Sequence, residues 1–314
     1  MRAMVYDSYG GPDNLALTDL PDPVPRRGEV LLAVRACGLN LSDHEFLTGS
    51  PAYARIGGLW RPRQRVLGSD IVGQVLALGP GVTAFRIGQR VMADAVTHRG
   101  GFAERAVLPA NLCTAVPDGL TDTIAACLPQ PGAIVLQGMA GVASGMRVLI
   151  NGAGGGSGTL ALQLAKDAGA HVTVVDTAAK IDWLASLGAD HGIDYHAQDF
   201  TQTDRPWDLI LDMVATRPAA RIARALRPGG VYRAVGGAVR VILPLALTGW
   251  MHKGRRIGVM AVRTGAQVTA HSAAAAVSGT LRPLIDSVVP LRDLPRAMAR
   301  LGAGEVRGKI VILP

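Results

Sequence analysis

The chain has 314 residues, of which 49% are hydrophobic, 18% charged and 4% aromatic, with 39 Gly and 19 Pro. This composition provides a sizeable buried core and excludes an intrinsically disordered or collagen-like chain. The 3 cysteines lie far apart and form no C-x-x-C pair. We therefore expect reduced thiols in core positions and no disulfide framework.

The net charge of +8 comes from basic residues that are scattered along the chain. A nucleic-acid partner is therefore disfavoured, because a nucleic-acid site needs clustered charge and aromatic platforms. Arg217, Arg221, Arg224 and Arg227 are spaced as on one side of a helix, which is typical of a solvated face. Prolines and glycines interrupt the apolar stretch 123–146, and charge follows closely on the first residue, so we expect no membrane span, no secretory signal and a cytoplasmic location.

The first 118 residues contain short β-branched runs separated by Gly and Pro. Strands are predicted over 29–36, 71–78 and 90–93, which indicates a β-rich domain.

After a turn predicted at 129–132, strands alternate with helices. The predicted strands cover 147–151, 171–176, 209–213 and 230–235, and the predicted helices cover 159–168, 179–187 and 219–226. This alternation predicts an α/β domain with a doubly wound parallel sheet. From about residue 266 the pattern predicts a small-residue helix, a segment 284–290, a helix over 294–301 and a strand over 309–313.

A glycine-rich segment, 151–158, joins the first of these strands to its helix. Glycines at that junction let the backbone approach a pyrophosphate, and the helix N-terminus supplies free N–H donors. We expect the pyrophosphate of a dinucleotide to bind at Ala153, Gly155, Gly156, Ser157 and Gly158.

The residues after the next strand give conflicting indications about the cofactor. Asp176 lies about twenty residues beyond the loop, where a carboxylate accepts hydrogen bonds from the ribose of NADH. Thr177 and Lys180 could instead hold the 2′-phosphate of NADPH, and Tyr195 could stack or hydrogen-bond close by. NADPH is the expected cofactor, with NADH left open by Asp176.

The chain resembles, along nearly its whole length, the zinc-free branch of the medium-chain dehydrogenase/reductase superfamily, which includes quinone oxidoreductases, zeta-crystallin-like proteins and enoyl reductases. The segments that carry the resemblance are Tyr9-Gly10-Gly11-Pro12, Gly38-Leu39-Asn40-Leu41-Ser42-Asp43, Leu67-Gly68-Ser69-Asp70, Gly100-Gly101-Phe102-Ala103-Glu104, the glycine-rich loop, Pro228-Gly229-Gly230 and Val306-Arg307-Gly308-Lys309. The resemblance implies a GroES-like β-rich domain (1–121 and 265–314), a Rossmann domain (122–264) and a homodimer.

The zinc alcohol dehydrogenases that this chain resembles carry a Cys ligand in the segment at Asn40 and a His ligand in the segment at Ser69. Neither ligand is present, and no four-cysteine lobe occurs between residues 91 and 108. We therefore expect no bound zinc. Without a Lewis acid, hydride transfer to a conjugated C=C bond or a quinone is easier than alcohol chemistry.

The resemblance also implies roles for individual residues. Tyr53 is the nearest match to the proton-donating Tyr of the enoyl reductases, and Asn40 and Asp43 are the other polar catalytic candidates. The residues that the resemblance places beside the nicotinamide are Val235, Gly236, Gly237, Arg307 and Lys309. The predicted protein is a zinc-independent NAD(P)H-dependent reductase of small-molecule enoyl or enone substrates or of quinones.

Two other functions stay open. One is an NAD-dependent alcohol dehydrogenase, which Asp176 favours. The other is a non-catalytic dinucleotide-fold protein that binds RNA or an acidic carrier, and an acyl carrier could also present the substrate of a reductase. Substrate specificity is expected in loops 47–65 and 239–256, and in the second loop Trp250 and Met251 fit either a pocket wall or a dimer surface.

Overall fold

The computed structural model describes residues 1–56 and 58–314. Its strands are β1 Arg2–Val5, β2 Ala16–Asp19, β3 Glu29–Leu39, β4 Asp70–Leu78, β5 Arg90–Asp94, β6 Arg105–Pro109, β7 Cys113–Ala115, β8 Arg147–Asn151, β9 His171–Asp176, β10 His191–Asp194, β11 Trp207–Asp212, β12 Leu226–Ala234, β13 Arg256–Val259, β14 Ile285–Pro290 and β15 Lys309–Leu313. Its α-helices are α1 Leu41–Thr48, α2 Asp122–Ala125, α3 Pro129–Gly138, α4 Gly156–Asp167, α5 Ala178–Ser186, α6 Ala219–Ala225, α7 Val239–Thr248, α8 Ala266–Val277 and α9 Leu294–Gly302. Short 3-10 helices cover Pro12–Asn14, Ala52–Arg55, Ala110–Leu112, Gly249–Met251 and Leu291–Asp293.

The chain divides into two compact units, one formed by Met1–Ala133 with Arg263–Pro314 and the other by Ile134–Val262. The first unit, called here the β unit, is built on a sheet of order β14-β15-β3-β4-β5-β7, with β6 also paired to β3. The long strand β3 is its centre, because antiparallel β4 lies on one side and antiparallel β15 on the other. The C-terminal strand thereby enters a sheet begun by the first third of the chain.

The second unit, called here the nucleotide unit, contains a sheet of order β10-β9-β8-β11-β12-β13. All its strand pairs are parallel. This is the doubly wound Rossmann order, in which the direction of winding reverses between β8 and β11 and ligands bind outside the carboxyl ends of the strands. The predicted α/β class with a GroES-like β-rich domain and a Rossmann domain is therefore confirmed.

Each unit has its own apolar core. In the β unit alternate residues of β3, such as Val30, Leu32 and Val34, are buried. In the nucleotide unit the middle strands are buried almost continuously, as the run Leu209, Ile210 and Leu211 shows. Both patterns follow from the number of covered faces, since a strand that is covered on both sides is apolar throughout.

Two local predictions from the sequence are wrong. Residues 129–132 begin helix α3, because prolines fit the first helical turn, where the missing N–H is not needed. Much of 239–256 is helical, in α7 and the following 3-10 turn. The segment 47–65 includes the 3-10 turn Ala52–Arg55, and residue 57 lies outside the described residues.

The four arginines also do not share one helical face, since α6 ends at Ala225. Arg217 and Arg221 both pair with Asp199, at 3.1 Å each, and Arg227 pairs with Asp208. These pairs show that much of the arginine charge is balanced locally.

Over residues 1–56 and 58–314, none of the helices combines the length and the apolar character that crossing a bilayer requires.

Candidate functional site

The glycine-rich loop lies where β8 turns into α4, at the carboxyl edge of the parallel sheet. Gly152 has a φ of +81°, a left-handed conformation that suits glycine, and helix α4 starts at Gly156 after the N-cap residue Gly155. The first N–H groups of the helix are therefore presented at the sheet edge, which is the standard arrangement for binding a pyrophosphate.

Two glycines of this loop meet different steric limits. A Cβ on Gly158 would lie 2.4 Å from the carbonyl oxygens of both Gly152 and Ala153, so no side chain fits. A Cβ on Gly155 would have Gly152 O, at 3.9 Å, as its nearest neighbour. Gly158 is thus needed for the packing of α4 on the strand, whereas the space above Gly155 is open to a ligand. The shape of the loop therefore fits a dinucleotide.

Asp176, at the end of β9, fixes the loop from the neighbouring strand. Its Oδ2 accepts the backbone N–H of Gly154 at 2.7 Å, and its Oδ1 accepts that of Thr177 at 2.9 Å. The carboxylate is 8% exposed. Both oxygens therefore already have donors within the protein, and the role of Asp176 includes holding the loop.

The residues expected at the adenosine end of the cofactor surround this carboxylate. Lys180 Nζ lies 3.6 Å from Asp176 Oδ1, and its side chain is 8% exposed. The backbone N–H of Tyr195 donates to the carbonyl of Asp176 at 3.3 Å, and 47% of Tyr195 is exposed. Thr177 is the N-cap residue of α5. The structure brings these four residues together, and their contact with a cofactor stays a prediction.

A buried polar network that the sequence analysis missed joins the carboxyl ends of β8, β11 and β12. Asp212 is fully buried, and its Oδ1 accepts from Asn151 Nδ2 at 2.8 Å and from the N–H of Ala215 at 2.7 Å. The hydroxyl of Tyr232 donates to Asp212 Oδ2 at 2.9 Å, and burial of the ring raises the pKa of Tyr232. The network fixes the turn after β11, including Ala215, whose φ is +37°. The sequence contained one signal for this network, which is the charged residue Asp212 at the end of an apolar strand.

The segment predicted to lie beside the nicotinamide follows β12 directly. The N–H of Val235 donates to the carbonyl of Asp212 at 2.8 Å. Gly237 has a φ of +148°, and a Cβ there would lie 2.7 Å from the carbonyl oxygen of Ala215. Val235, Gly236 and Gly237 are thus packed against the turn that Asp212 holds, at the same edge of the sheet as the glycine-rich loop.

The β unit contains a buried charged cluster around Lys309, the first residue of β15. Lys309 Nζ donates to Asp70 Oδ2 at 3.0 Å and also to Asn40 Oδ1. Asn40 Nδ2 in turn donates to Ser69 Oγ at 3.3 Å. Lys309 is 4% exposed and Asp70 is fully buried. The cluster therefore joins the two segments, at Asn40 and Ser69, that the family resemblance singled out.

Lys309 and Arg307 were both expected beside the nicotinamide, and the structure places them differently. The ammonium of Lys309 is directed at Asn40 and Asp70, as above. Arg307 is exposed, and its backbone N–H donates to Asp286 Oδ1 at 3.0 Å. Contact of either residue with a cofactor stays a prediction.

Asp43 has a structural place at the start of α1. Its Oδ2 accepts the N–H of Asn40 at 2.9 Å, which forms a capping box, and its Oδ1 accepts the N–H of Gly68 at 3.0 Å. Burial raises the pKa of Asp43 to about 6, although these two N–H donors oppose the shift. The geometry therefore ties Asp43 to the turn, as Asp residues often do.

Asp94 lies opposite Asp70 in the pairing of β4 with β5. Its Oδ1 accepts the N–H of Val96 at 3.2 Å, while its Oδ2 is buried without a hydrogen-bond partner in the described chain. Burial raises the pKa of Asp94 to about 7, and the negative charge of Asp70 adds to the shift. The salt bridge of this cluster joins Lys309 to Asp70, and Asp94 is not part of it.

Tyr53, the expected proton donor, lies in the 3-10 turn after α1 and is half-buried. Its hydroxyl donates to Glu45 Oε1 at 3.0 Å. Burial raises the pKa of Glu45, against the effect of this hydrogen bond. Asn40, Asp43 and Lys309 are therefore brought into one cluster, and Tyr53 is paired with a carboxylate that the sequence analysis did not single out.

Comparison with known proteins identifies the family. Residues 26–118 match the family described as alcohol dehydrogenase GroES-like domain, and residues 187–312 match the one described as zinc-binding dehydrogenase. A trans-enoyl reductase of Aspergillus terreus is 30% identical over 321 residues, which cover 93% of this chain and 89% of that protein. The chain belongs to the medium-chain dehydrogenase/reductase superfamily.

Within this superfamily, the structure of a quinone oxidoreductase from Coxiella burnetii is 28% identical, has a TM-score of 0.88, and is matched over 100% of this chain and 99% of that one. A mycobacterial protein solved with NADPH is 28% identical, with a TM-score of 0.83 and full coverage of both chains. A protein described as an NAD-dependent alcohol dehydrogenase is 27% identical, with a TM-score of 0.82 and full coverage. The relatives are oxidoreductases of both nicotinamide types, and this chain is an oxidoreductase with a dinucleotide-binding fold.

The donor set does not fit the zinc that one family description implies. Zinc is held by thiolates, imidazoles and carboxylates. Asn40 and Ser69 offer a neutral amide and a hydroxyl, and the ammonium of Lys309 contacts Asn40 and Asp70. A positive charge at that place repels a divalent cation. Among residues 1–56 and 58–314, no group of three or more His, Cys, Asp or Glu side chains is arranged to hold a metal.

Proposed function

We propose that this protein is a zinc-independent, NADPH-dependent reductase of α,β-unsaturated carbonyls or quinones. The observation that carries the proposal is the buried contact of the Lys309 ammonium with Asn40 and Asp70. It would put an ammonium group where an alcohol dehydrogenase of this superfamily requires a metal. The chemistry is then that of an acceptor that delocalises its own negative charge.

Lys309 also fixes the orientation of the Asn40 amide. An ammonium group only donates hydrogen bonds, so the atom of Asn40 that it contacts must be the oxygen. The Nδ2 of Asn40 is therefore the donor side, and it gives one hydrogen bond to Ser69 Oγ at 3.3 Å. The second N–H would donate to the carbonyl oxygen of the substrate, and Lys309 strengthens that donor by polarising the amide.

Tyr53 is the proposed proton source for the carbon next to that carbonyl. Its hydroxyl is held by Glu45, so the phenol has a defined direction and a carboxyl group beside it. Because burial raises the pKa of Glu45, this carboxyl group takes up a proton more readily than an exposed one. Glu45 would therefore help to restore the proton of Tyr53 after turnover.

The cofactor would bind along the glycine-rich loop, and a bound nicotinamide supplies the hydride. Ala153, Gly155, Gly156, Ser157 and Gly158 would hold the pyrophosphate. The choice of NADPH rests on Lys180 and Thr177. Since both oxygens of Asp176 already accept N–H groups and Lys180 lies beside it, that carboxylate opposes a 2′-phosphate less than an isolated one would.

The test is the consumption of NADPH with a conjugated enone, with NADH run in parallel and the product identified by mass and NMR. A saturated ketone formed faster with NADPH supports the proposal. An allylic alcohol as product contradicts it and indicates carbonyl chemistry, while binding of NADPH without turnover of enones or quinones contradicts the reductase itself.

The second candidate is an NAD-dependent alcohol dehydrogenase. Asp176 favours it, because a carboxylate at the end of this strand is the residue type that binds the ribose of NADH, and a superfamily member described as an NAD-dependent alcohol dehydrogenase has the same fold. Metal analysis of the purified protein decides between the two. About one zinc per chain would support the alcohol dehydrogenase and overturn our proposal. A homodimer, a cytoplasmic location and an acyl-carrier-bound substrate stay predictions.

A further inference from the structure

Arg99, in the turn between β5 and β6, is a partly buried arginine of the β unit that the reaction above leaves unused. Its guanidinium carbon lies 3.4 Å from the centre of the Phe46 ring, and its Nε donates to the carbonyl of Val96 at 3.2 Å. In the described chain Arg99 forms no ion pair with a carboxylate. Burial lowers the pKa of Arg99, so the protein stabilises this cation less than water would.

The backbone of Arg99 is also held in an unfavourable conformation. Its φ is +59°, in the left-handed region that few residues other than Gly, Asn and Asp adopt. The N–H groups of His98 and Arg99 both donate to the carbonyl of Ala95, which fixes the turn. Such strain persists where the surrounding structure imposes it, and it is concentrated at ligand sites.

Tyr6 provides a second polar group, which interacts electrostatically with Arg99. The residue is 2% exposed, and its hydroxyl makes no hydrogen bond within residues 1–56 and 58–314. Burial raises the pKa of Tyr6 to about 12, and the positive charge of Arg99 acts in the opposite direction. Within the described residues, a phenol hydroxyl without a protein partner and an arginine without an ion pair leave two donors available for one anion.

The substrate-handling residues are close in the fold. Phe46, under the guanidinium, lies on α1, which starts directly after Asn40 and carries Asp43. The turn that holds Arg99 begins at Asp94, whose neighbour in the sheet is Asp70. The carboxylate of Asp43 interacts electrostatically with both Arg99 and Tyr6, while its oxygens accept the backbone N–H groups of Asn40 and Gly68.

We infer that Arg99 and Tyr6 bind a carboxylate group of the substrate, which makes the preferred substrates unsaturated carbonyl compounds that also carry a carboxylate. Stacking on Phe46 occupies the face of the guanidinium and leaves the Nη edge free, and that edge matches the two oxygens of a planar carboxylate. The hydroxyl of Tyr6 donates to one of the same oxygens. The inference rests on the proposed function, since it specifies the acceptor of that reaction.

The test compares two acceptors that differ only in charge, 4-oxopent-2-enoate and its methyl ester, with NADPH. The readout is the ratio of kcat/KM for the acid to kcat/KM for the ester. Arg99→Asn keeps a residue that tolerates the positive φ and removes the charge, so we expect the ratio to fall about tenfold or more. Arg99→Lys keeps the charge but lacks the planar guanidinium, so it should lower the ratio by less than Arg99→Asn does. Tyr6→Phe should lower the ratio about threefold.

Arg147→Gln is the matched control. Arg147 also lies over an aromatic ring, 4.6 Å from the centre of Trp207, but it lies in the nucleotide unit and its Nη1 donates to the carbonyl of Pro206 at 3.1 Å. Its variant should keep the ratio of the unchanged protein. The inference is overturned if Arg99→Asn and Arg99→Lys fold normally and keep the ratio.

Equilibrium binding separates this inference from the proposed function. The saturated acid 4-oxopentanoate has no conjugated C=C bond, so its binding to the protein, followed by calorimetry or NMR, does not depend on turnover. Binding that Arg99→Asn weakens about tenfold supports the carboxylate site even if no enone is reduced. Binding that is equal in the unchanged protein and in Arg99→Asn overturns it even if enones are reduced.

Discussion

The Lys309–Asp70 pair of the β unit and the Lys180–Asp176 pair of the nucleotide unit contain the same side chains in different settings. Lys309 and Asp70 are 239 residues apart in sequence, 3.0 Å apart in space, and 4% and 0% exposed. Lys180 and Asp176 are four residues apart, 3.6 Å apart, and 8% and 10% exposed. The first pair is buried because strands β15 and β4 both pair with β3, whereas the second pair lies within one turn at a sheet edge. The same two side chains are therefore buried in one unit by distant parts of the chain and in the other by their own turn.

The largest effect is expected for Lys309→Met. It leaves the carboxylate of Asp70 buried without a counter-charge, so the free energy of unfolding should fall by about 3–5 kcal/mol in urea titrations followed by circular dichroism. Lys180→Met is the matched control, with an expected loss of about 1 kcal/mol, because Asp176 keeps two N–H donors. Equal losses of unfolding free energy in the two variants would contradict the expected difference between the Lys309–Asp70 and Lys180–Asp176 pairs. Adding Asp70→Leu to Lys309→Met should restore much of the stability.

Gly158→Ala tests the backbone of the local site. The new methyl would lie 2.4 Å from two carbonyl oxygens, so stability should fall by about 1–3 kcal/mol and NADPH affinity should fall with it. Gly155→Ala has space inside the protein and should keep the stability, but its methyl would point to where a phosphate is expected. Thermal unfolding with and without NADPH separates the two variants. A Gly155→Ala protein that is stabilised by NADPH as much as the unchanged protein would contradict the proposed phosphate position.

Asp94→Asn tests the electrostatics of the buried charged cluster around Lys309. Burial raises the pKa of Asp94 from 3.8 to about 7, so its contribution to stability is complete below about pH 4 and is lost as the pH rises to about 7. The difference in unfolding free energy between variant and unchanged protein should therefore shift in favour of the variant by on the order of 4 kcal/mol between pH 4 and pH 8. Urea titrations at several pH values measure it, and a difference independent of pH would show that Asp94 ionises normally.

The smallest effect is expected for Asp176→Ser. Loss of the carboxylate removes repulsion of a 2′-phosphate and leaves Lys180 available, so the preference for NADPH over NADH in kcat/KM should rise about tenfold. If NADH is still used better by this variant, the role assigned to Lys180 is wrong. Asp194→Ser, at the end of the neighbouring strand β10, serves as a nearby carboxylate control, because Asp194 is the register partner of Asp176.

The part of the nucleotide unit around the Lys180–Asp176 pair was predicted well from the sequence. Strands β8 and β9 begin and end where the apolar periodicity placed them, and the glycine-rich loop, Asp176 and Lys180 lie together, because all depend on residues within about thirty positions of one another. Helix α4 begins three residues before the predicted start, since apolar periodicity cannot detect the glycines and serine of its first turn.

The long-range contacts around the Lys309–Asp70 pair could be predicted from the sequence only in part. Asn40 and Ser69 could be chosen by family resemblance, but the Lys309 contact depends on β15 pairing with β3, which no local pattern encodes. Asp212, Tyr232 and Arg99 were missed for the same reason, because each is a single polar residue whose importance comes from neighbours distant in the chain. The wrong assignment of 129–132 as a turn has a local cause: prolines mark both turns and first helical turns.

The pairing of β15 with β3 has a consequence for biosynthesis. A ribosome delivers the chain from its first residue onward, so the β unit remains incomplete while the whole nucleotide unit is being made. Lys309 can reach Asp70 only after β15, which follows Asp70 by 239 residues, has left the ribosome. Until then Asp70 has no counter-charge and β3 has an open edge, the kind of surface that chaperones bind. A chain that stops before Lys309 would therefore leave the β unit without this ion pair even though the whole nucleotide unit had been synthesised.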